Sequence, residues 1–189
     1  MGWQLDVDGG RRLAIRHCWD GTPAPVEAWI QLDVRLRDGD LEINFCAPYY
    51  GDEIPKGPRG RCPRLWEHEV VELFLLGENG RYLEIELGPH GHYLALLLHG
   101  RRNVVRDDLR LSPTIEIIGD HGGRSYWRAH LVVGQALIPR GWDRINAYAI
   151  HGGGVMERQY LAHAPTLGSV PDFHRLEIFV PIEGLERRA

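Results

Sequence analysis

Apolar and polar side chains alternate along most of this chain with a period of two. That period marks β-strands with one face toward a core. Residues 27–36 (EAWIQLDVRL) place Ala28, Ile30, Leu32, Val34 and Leu36 on one side. Residues 81–87 place Leu83, Ile85 and Leu87 on one side and Tyr82, Glu84 and Glu86 on the other. Further strands are predicted over 11–18, 41–45, 69–76, 93–99, 114–119, 125–133, 144–150, 158–160 and 176–180. Turn residues separate them. Asp38-Gly39-Asp40 predicts a hairpin, because Gly39 supplies the positive φ that such a turn needs. Gly77-Glu78-Asn79-Gly80 and Gly88-Pro89-His90-Gly91 predict two more turns, 47–63 reads as a long loop, and 135–139 as one short helical turn.

About ten strands with short turns make an all-β antiparallel sandwich, jelly-roll or immunoglobulin-like. No linker, repeat or low-complexity segment divides the chain. One domain over 1–183 with a polar tail over 184–189 is expected.

Charge and cysteine usage narrow the setting. A net charge of -4 and scattered arginine pairs give no basic stripe for nucleic acid or an anionic membrane. Cys18, Cys46 and Cys62 are odd in number and without a CxxC, which argues against a disulfide framework or a cysteine zinc site. The opening MGWQLDVDGG lacks a basic segment followed by an apolar run, so no secretory signal is predicted. The longest apolar run, 93–98 (YLALLL), is too short to span a bilayer. A soluble, cytoplasmic protein is expected, with oligomeric state open.

The stretch 65–103 departs from a plain sandwich pattern, with charges inside its strands. On 66–76, Trp66, His68, Val70, Glu72, Phe74 and Leu76 share a face. Glu72 therefore sits between Val70 and Phe74 on an apolar stripe, where a carboxylate is costly without a partner. Two readings stand side by side: a structural ion pair with an arginine, or a carboxylate that accepts hydrogen bonds from a ligand. The next strand carries Tyr82, Glu84 and Glu86 on one side. Antiparallel sheets often have one wet face, so solvation alone accounts for such a side. Adjacent like charges repel, however. The glutamates therefore ask for Arg81, Arg101, Arg102 or a cation nearby.

Ten histidines include one close pair, His90 and His92, in a turn. These two are the candidate metal ligands, and no third ligand at a recognisable spacing accompanies them. No cofactor is otherwise expected. HExxH, GxSxG, GxGxxG and the P-loop pattern are absent. His151-Gly152-Gly153-Gly154 resembles an oxyanion-type glycine loop, but without a GxSxG it reads as a turn. Paired carboxylates leave glycoside hydrolysis open, with Glu72 and Glu84 or Glu86 as candidates.

The residues Leu65-Trp66-Glu67-His68-Glu69-Val70-Val71-Glu72-Leu73-Phe74-Leu75, then Tyr82-Leu83-Glu84-Ile85-Glu86 and Gly88-Pro89-His90-Gly91-His92, resemble the family-9 carbohydrate-binding modules and the wider DOMON-like group. Pro171-Asp172-Phe173-His174-Arg175-Leu176-Glu177-Ile178-Phe179 is similar to the closing pattern of those modules. With Asn146-Ala147-Tyr148-Ala149-Ile150-His151, the chain resembles an uncharacterised cytoplasmic branch of that superfamily. The resemblance implies a sandwich with a concave sheet. In sugar-binding members two aromatics clamp a terminal sugar, and acidic, basic and amide groups bind its hydroxyls. Trp66 matches the first aromatic, Glu72 the acidic residue, Phe173 the second aromatic, and Arg101 or Arg102 the basic residue. Phe173 stands where a tryptophan is usual, and Glu69 where an aspartate is usual. Neither a calcium ligand set nor a methionine–histidine haem pair is apparent.

The expected function is a non-catalytic, ligand-binding sandwich that takes a saccharide or polyol-like molecule. Its candidate contacts are Trp66, Glu72, Tyr82, Glu84, Glu86, Arg101, Arg102 and Phe173. A metal-assisted or acid/base hydrolase built on the Glu/His-rich region, and an interaction scaffold without a small ligand, are the alternatives.

Overall fold

The computed structural model describes residues 10–119, 123–153 and 157–182. The expected polar tail over 184–189, most of the opening decapeptide and Met156 lie outside the described residues. Fourteen strands are described: β1 (Gly10–Ile15), β2 (His17–Cys18), β3 (Ile30–Arg37), β4 (Asp40–Pro48), β5 (Gly60–Arg61), β6 (Val70–Leu76), β7 (Arg81–Leu87), β8 (His92–His99), β9 (Val104–Arg106), β10 (Thr114–Ile118), β11 (Tyr126–Val133), β12 (Arg144–His151), β13 (Gln159–Ala162) and β14 (Val180–Pro181). Among the described residues there is no α-helix, only five short 3₁₀ turns. No described helix is long and apolar enough to cross a membrane.

The strands form two sheets. The first has five strands in the order β1-β3-β4-β11-β10. The second has nine: β2-β13-β12-β6-β7-β8-β5, with β14 also on β12 and β9 also on β8. Every pairing is antiparallel except β5 with β8. The all-β sandwich is as expected, with more strands than the ten read from the alternation. The extra ones are short. β5 lies in the stretch read as a loop, and two residues carry no period. The 176–180 segment is corrected too. Leu176–Ile178 is a 3₁₀ turn, and the strand is confined to Val180–Pro181. Its apolar side chains cover a sheet face, so their spacing does not reflect a place in the ladder.

The β3–β4 hairpin shows how local chemistry sets register. Asp38 and Gly39 both have positive φ, 53° and 90°, and Arg37 pairs Asp40. Two positive φ values make a tight turn whose twist matches the strands, which glycine permits and aspartate tolerates. Ile30, Leu32 and Val34 then face inward beside Leu41, Ile43 and Phe45. From the second sheet come Val71, Leu73, Leu75, Leu83, Ile85 and Leu87. These inward faces are wholly apolar. Each fully buried aliphatic side chain contributes about 1.5–3 kcal/mol, and an edge-on pair of Phe45 and Trp127, centroids 4.9 Å apart, fills the wide part.

Candidate functional site

The nine-stranded sheet buries its outer face as well. Register places four rows there. Ile150 lies beside Val70, and Tyr148 beside Glu72 beside Glu86 beside Leu94. Next, Asn146 lies beside Phe74 beside Glu84 beside Leu96; last, Leu76 beside Tyr82 beside Leu98. Directly paired residues have Cβ atoms about 5 Å apart and diagonal ones about 7 Å. Glu72, Glu84 and Glu86 thus meet at the middle of this face. Alternation puts each of them on this face, and the β6–β7 register brings the three together.

This face is neither wet nor an open surface. Phe173 and Phe179, with partly buried Leu176 and Ile178, come from the C-terminal stretch and pack onto Phe74, Tyr82, Tyr148, Leu94 and Leu96. Leu65 of the Leu65–Glu67 turn covers another part. Alternation within a strand cannot reveal a cover supplied by residues a hundred positions away.

The three carboxyl groups are buried, Glu84 being 3% exposed and Glu86 0%. With the acids protonated, Glu86 hydrogen-bonds to Glu84, and no side chain outside the cluster donates to Glu84 Oε2 or to the Glu86 carboxyl oxygens. Burial raises the pKa of Glu72 well above the ordinary carboxyl range, the Glu84 charge adds to it, and Arg158 partly offsets it. Burial likewise pushes Glu84 up to about 7, against a hydrogen bond from Glu86 and the charge of Arg102. Glu86 is raised by burial and then by the charges of Glu72 and Glu84, with the Trp66 backbone opposing. Desolvation and mutual repulsion both favour the neutral acids, so the three titrate as one unit.

Beside them runs a chain of hydrogen bonds. The Arg102 backbone N–H donates to the Tyr82 hydroxyl at 3.1 Å, which lies 2.7 Å from His174 Nδ1. His174 Nδ1 is 3.9 Å from Glu84 Oε2. Burial, then the charges of Arg102 and Arg101, lower the His174 pKa to about 4. Tyr82 is pushed up to about 12, chiefly by burial.

The remaining sequence candidates take distinct places. Phe173 is 8% exposed, and its ring lies parallel to Tyr148 at 3.9 Å. Arg101 and Arg102 both engage the buried Asp172 carboxylate, Arg102 at 3.1 Å. They clamp the cover and do not reach the glutamates. Trp66 is 40% exposed, and its carbonyl accepts from Arg158, which also donates to the Glu67 carbonyl at 2.7 Å. Glu72, Tyr82, Glu84, Glu86 and Phe173 are therefore together in one buried cluster, and Trp66 lies at the surface.

His90 and His92 lie elsewhere, around a small cavity at the strand ends shared with Asp52, His68 and Glu69. His90 Nε2 is 3.2 Å from the Tyr49 hydroxyl. His92 is buried with neither nitrogen hydrogen-bonded. Glu69 accepts from the backbone N–H groups of Tyr50, Gly51 and Asp52, yet burial still pushes it up to about 7. Among the described residues, no three His, Cys, Asp or Glu side chains converge as a metal ion would require.

Sequence reading missed Tyr148, Asp172, His174 and Arg158. Tyr148 was findable, because it alternates with Asn146 and Ile150 on one strand. Asp172 and His174 sit outside any periodic pattern, and Arg158 opens a predicted strand too short to reveal its role.

A solved structure of similar shape places this architecture in a known fold. It is described as "a putative carbohydrate-binding protein" from Bacteroides uniformis, with a TM-score of 0.69 over 90% of this chain and 84% of that one, at 14% identity. The chain is thus an all-β sandwich of that fold. It is also 37% identical over 175 residues to the UPF0462 protein C4orf33 homolog of Rattus norvegicus, covering 88% of this chain and 85% of the relative. Its identity to the human UPF0462 protein C4orf33 is 37% over 176 residues, covering 87% and 84%. The chain belongs to the UPF0462 (C4orf33) family. No protein-family model matches it.

Proposed function

We propose that this protein is a non-catalytic binding sandwich for a hydroxyl-rich small molecule of the saccharide or polyol class. The outer face of the nine-stranded sheet is the site. The observation that carries the reading is the buried cluster of Glu72, Glu84 and Glu86, three carboxyl groups that share one face and, among the described residues, have no lysine or arginine ion pair. Leaving a buried polar atom unmatched costs about 1–3 kcal/mol. A stable core gains nothing from three carboxyl groups side by side, whereas the hydroxyl groups of a ligand would hydrogen-bond to them. The aromatic rings support the same reading: Phe173 lies flat on Tyr148, and its displacement frees the Tyr148 face to stack on sugar C–H groups. The resemblance to family-9 carbohydrate-binding modules and the solved neighbour's description point the same way.

On this reading Glu72, Glu84 and Glu86 accept ligand hydroxyls and Tyr82 borders them. Phe173 is the aromatic that the ligand displaces from Tyr148. Arg101 and Arg102, through Asp172, hold the cover that carries it. Trp66 receives the ligand at the rim. A thermal-shift screen with mono- and disaccharides at millimolar concentration tests this. Stabilisation by a sugar that Trp66→Ala weakens is expected. Absence of a shift with every sugar would remove the reading.

A further inference from the structure

The outer face is closed by a segment that crosses it without joining the sheet. Among the described residues, the backbone-to-backbone hydrogen bonds of 171–179 are internal, from Ile178 N–H to the Arg175 carbonyl at 3.2 Å and from Phe179 N–H to the Leu176 carbonyl at 3.3 Å. The segment is fastened at its two ends. On one side the Thr166 and Leu167 N–H groups donate to the Trp19 carbonyl, and on the other Val180 and Pro181 pair with β12. Between those anchors side chains hold it: Phe173 flat on Tyr148 at 3.9 Å, Phe179 edge-on to Phe74 at 5.7 Å, and Asp172 engaged by Arg101 and Arg102.

Beneath it lie Glu72, Glu84 and Glu86, all buried. Every element packed around them contributes to their balance of charge. β7 adds Tyr82 and β12 adds Tyr148. β8 faces them with Leu94 and Leu96, and its His92 lies beyond at the strand-end cavity. The turn before β6 brings the Trp66 backbone, which hydrogen-bonds to Glu86. Arg102 attracts Glu84 and Arg158 attracts Glu72, yet neither forms an ion pair with them, since Arg102 is held by Asp172 and Arg158 by the Trp66 and Glu67 carbonyls. From the segment itself come His174, kept neutral by burial and by Arg102 and Arg101, and Arg175 paired with Glu177.

Three carboxyl groups share this space while they are neutral, with Glu86 hydrogen-bonded to Glu84. As three anions they cannot, because each charge is desolvated and repels the next. Lifting 171–179 admits water to all of them and breaks no strand pairing among the described residues. We propose that 171–179 is a pH-operated lid, seated on the outer face while Glu72, Glu84 and Glu86 are neutral and lifted from it as they ionise. The device rests on packing and charge and not on any ligand, so it stands or falls apart from the saccharide reading.

Proton binding sets the direction. Burial beneath the seated lid pushes Glu84 from the ordinary 4.5 up to about 7. Between those values the seated form holds a proton that the lifted form releases, so lifting becomes roughly tenfold more favourable per pH unit for one such group. Glu72 and Glu86, also raised by burial, add to the trend.

Amide exchange of the whole protein from about pH 5 to about pH 9, read by mass spectrometry and corrected for the intrinsic pH dependence of exchange, tests the lid. Protection within 172–179 is expected to fall about tenfold per unit between about pH 5 and about pH 7. It should also stay below that of β11 at every pH, because the lid opens before the protein unfolds. Glu84→Gln should flatten the fall, and the combined Glu72→Gln, Glu84→Gln and Glu86→Gln protein should abolish it. If the combined variant does not fold, Glu84→Gln alone decides by its slope. Protection that stays level with pH, that equals the protection of β11, or that falls as steeply in Glu84→Gln as in wild type would overturn the proposal.

Discussion

The two faces of β6 and β7 are built from alternate residues of the same two strands, and they obey different rules. Toward the first sheet stand Val71, Leu73, Leu75, Leu83, Ile85 and Leu87, all apolar. Toward the cover stand Glu72, Phe74, Tyr82, Glu84 and Glu86, equally removed from water. The first face is what burial alone selects. The second holds carboxyl groups where hydrocarbon of similar volume would be more stable. Equal burial with unequal chemistry separates the two faces: hydrocarbon packing accounts for the inner one and not for the outer one.

The contrast breaks or sharpens under substitution. The largest effect belongs to the inner face. Leu83→Ala should lower stability by about 2–5 kcal/mol, through lost transfer energy and the cavity left behind. Urea denaturation followed by fluorescence measures it, and a loss below about 1 kcal/mol would mean that the inner face is loosely packed.

On the outer face the sign should reverse. The pKa of Glu84 is raised in the folded protein from the ordinary 4.5 to about 7. Between those values the folded state binds more protons than the unfolded chain, so this group costs stability as pH rises from about 4.5 to about 7, and the cost levels off above. Glu84→Gln removes the cost. The variant's advantage over wild type should grow across that window, on the order of 1–3 kcal/mol, read as the difference in Tm at each pH. A variant less stable than wild type at pH 8 would show that the carboxylate is satisfied after all.

The cover gives the smallest effect. Asp172 accepts from Arg101, Arg102 and the backbone N–H of His174. Both arginines are mostly exposed, so screening limits what the pairs add. Asp172→Asn should cost about 1 kcal/mol globally, while amide exchange over 172–179 accelerates more than in β6 or β7. Uniform acceleration in all three would mean that the cover is not a separate opening unit.

Much of this was legible in the chain, and for a specific reason. A strand's period of two is a local property. It assigned Leu83, Ile85 and Leu87 to one face and Tyr82, Glu84 and Glu86 to the other, and it marked Glu72 as misplaced on an apolar stripe. The Asp38-Gly39 turn was readable for the same reason, since its backbone geometry depends on two residues. The role of Asp172, His174 and Arg158 was not readable. Asp172 and His174 lie in a segment without periodicity, Arg158 opens a stretch too short to show one, and their partners are distant in sequence.

By itself the sequence determined the all-β class, most of the strands and which side chains share a face, because each follows from neighbours along the chain. Only the tertiary structure decided that the charged face of 65–103 is buried. It also decided that three glutamates meet across two paired strands and that the arginines beside them are held by other partners. Those outcomes depend on strand order and on a cover from the far end of the chain, and no local pattern encodes either.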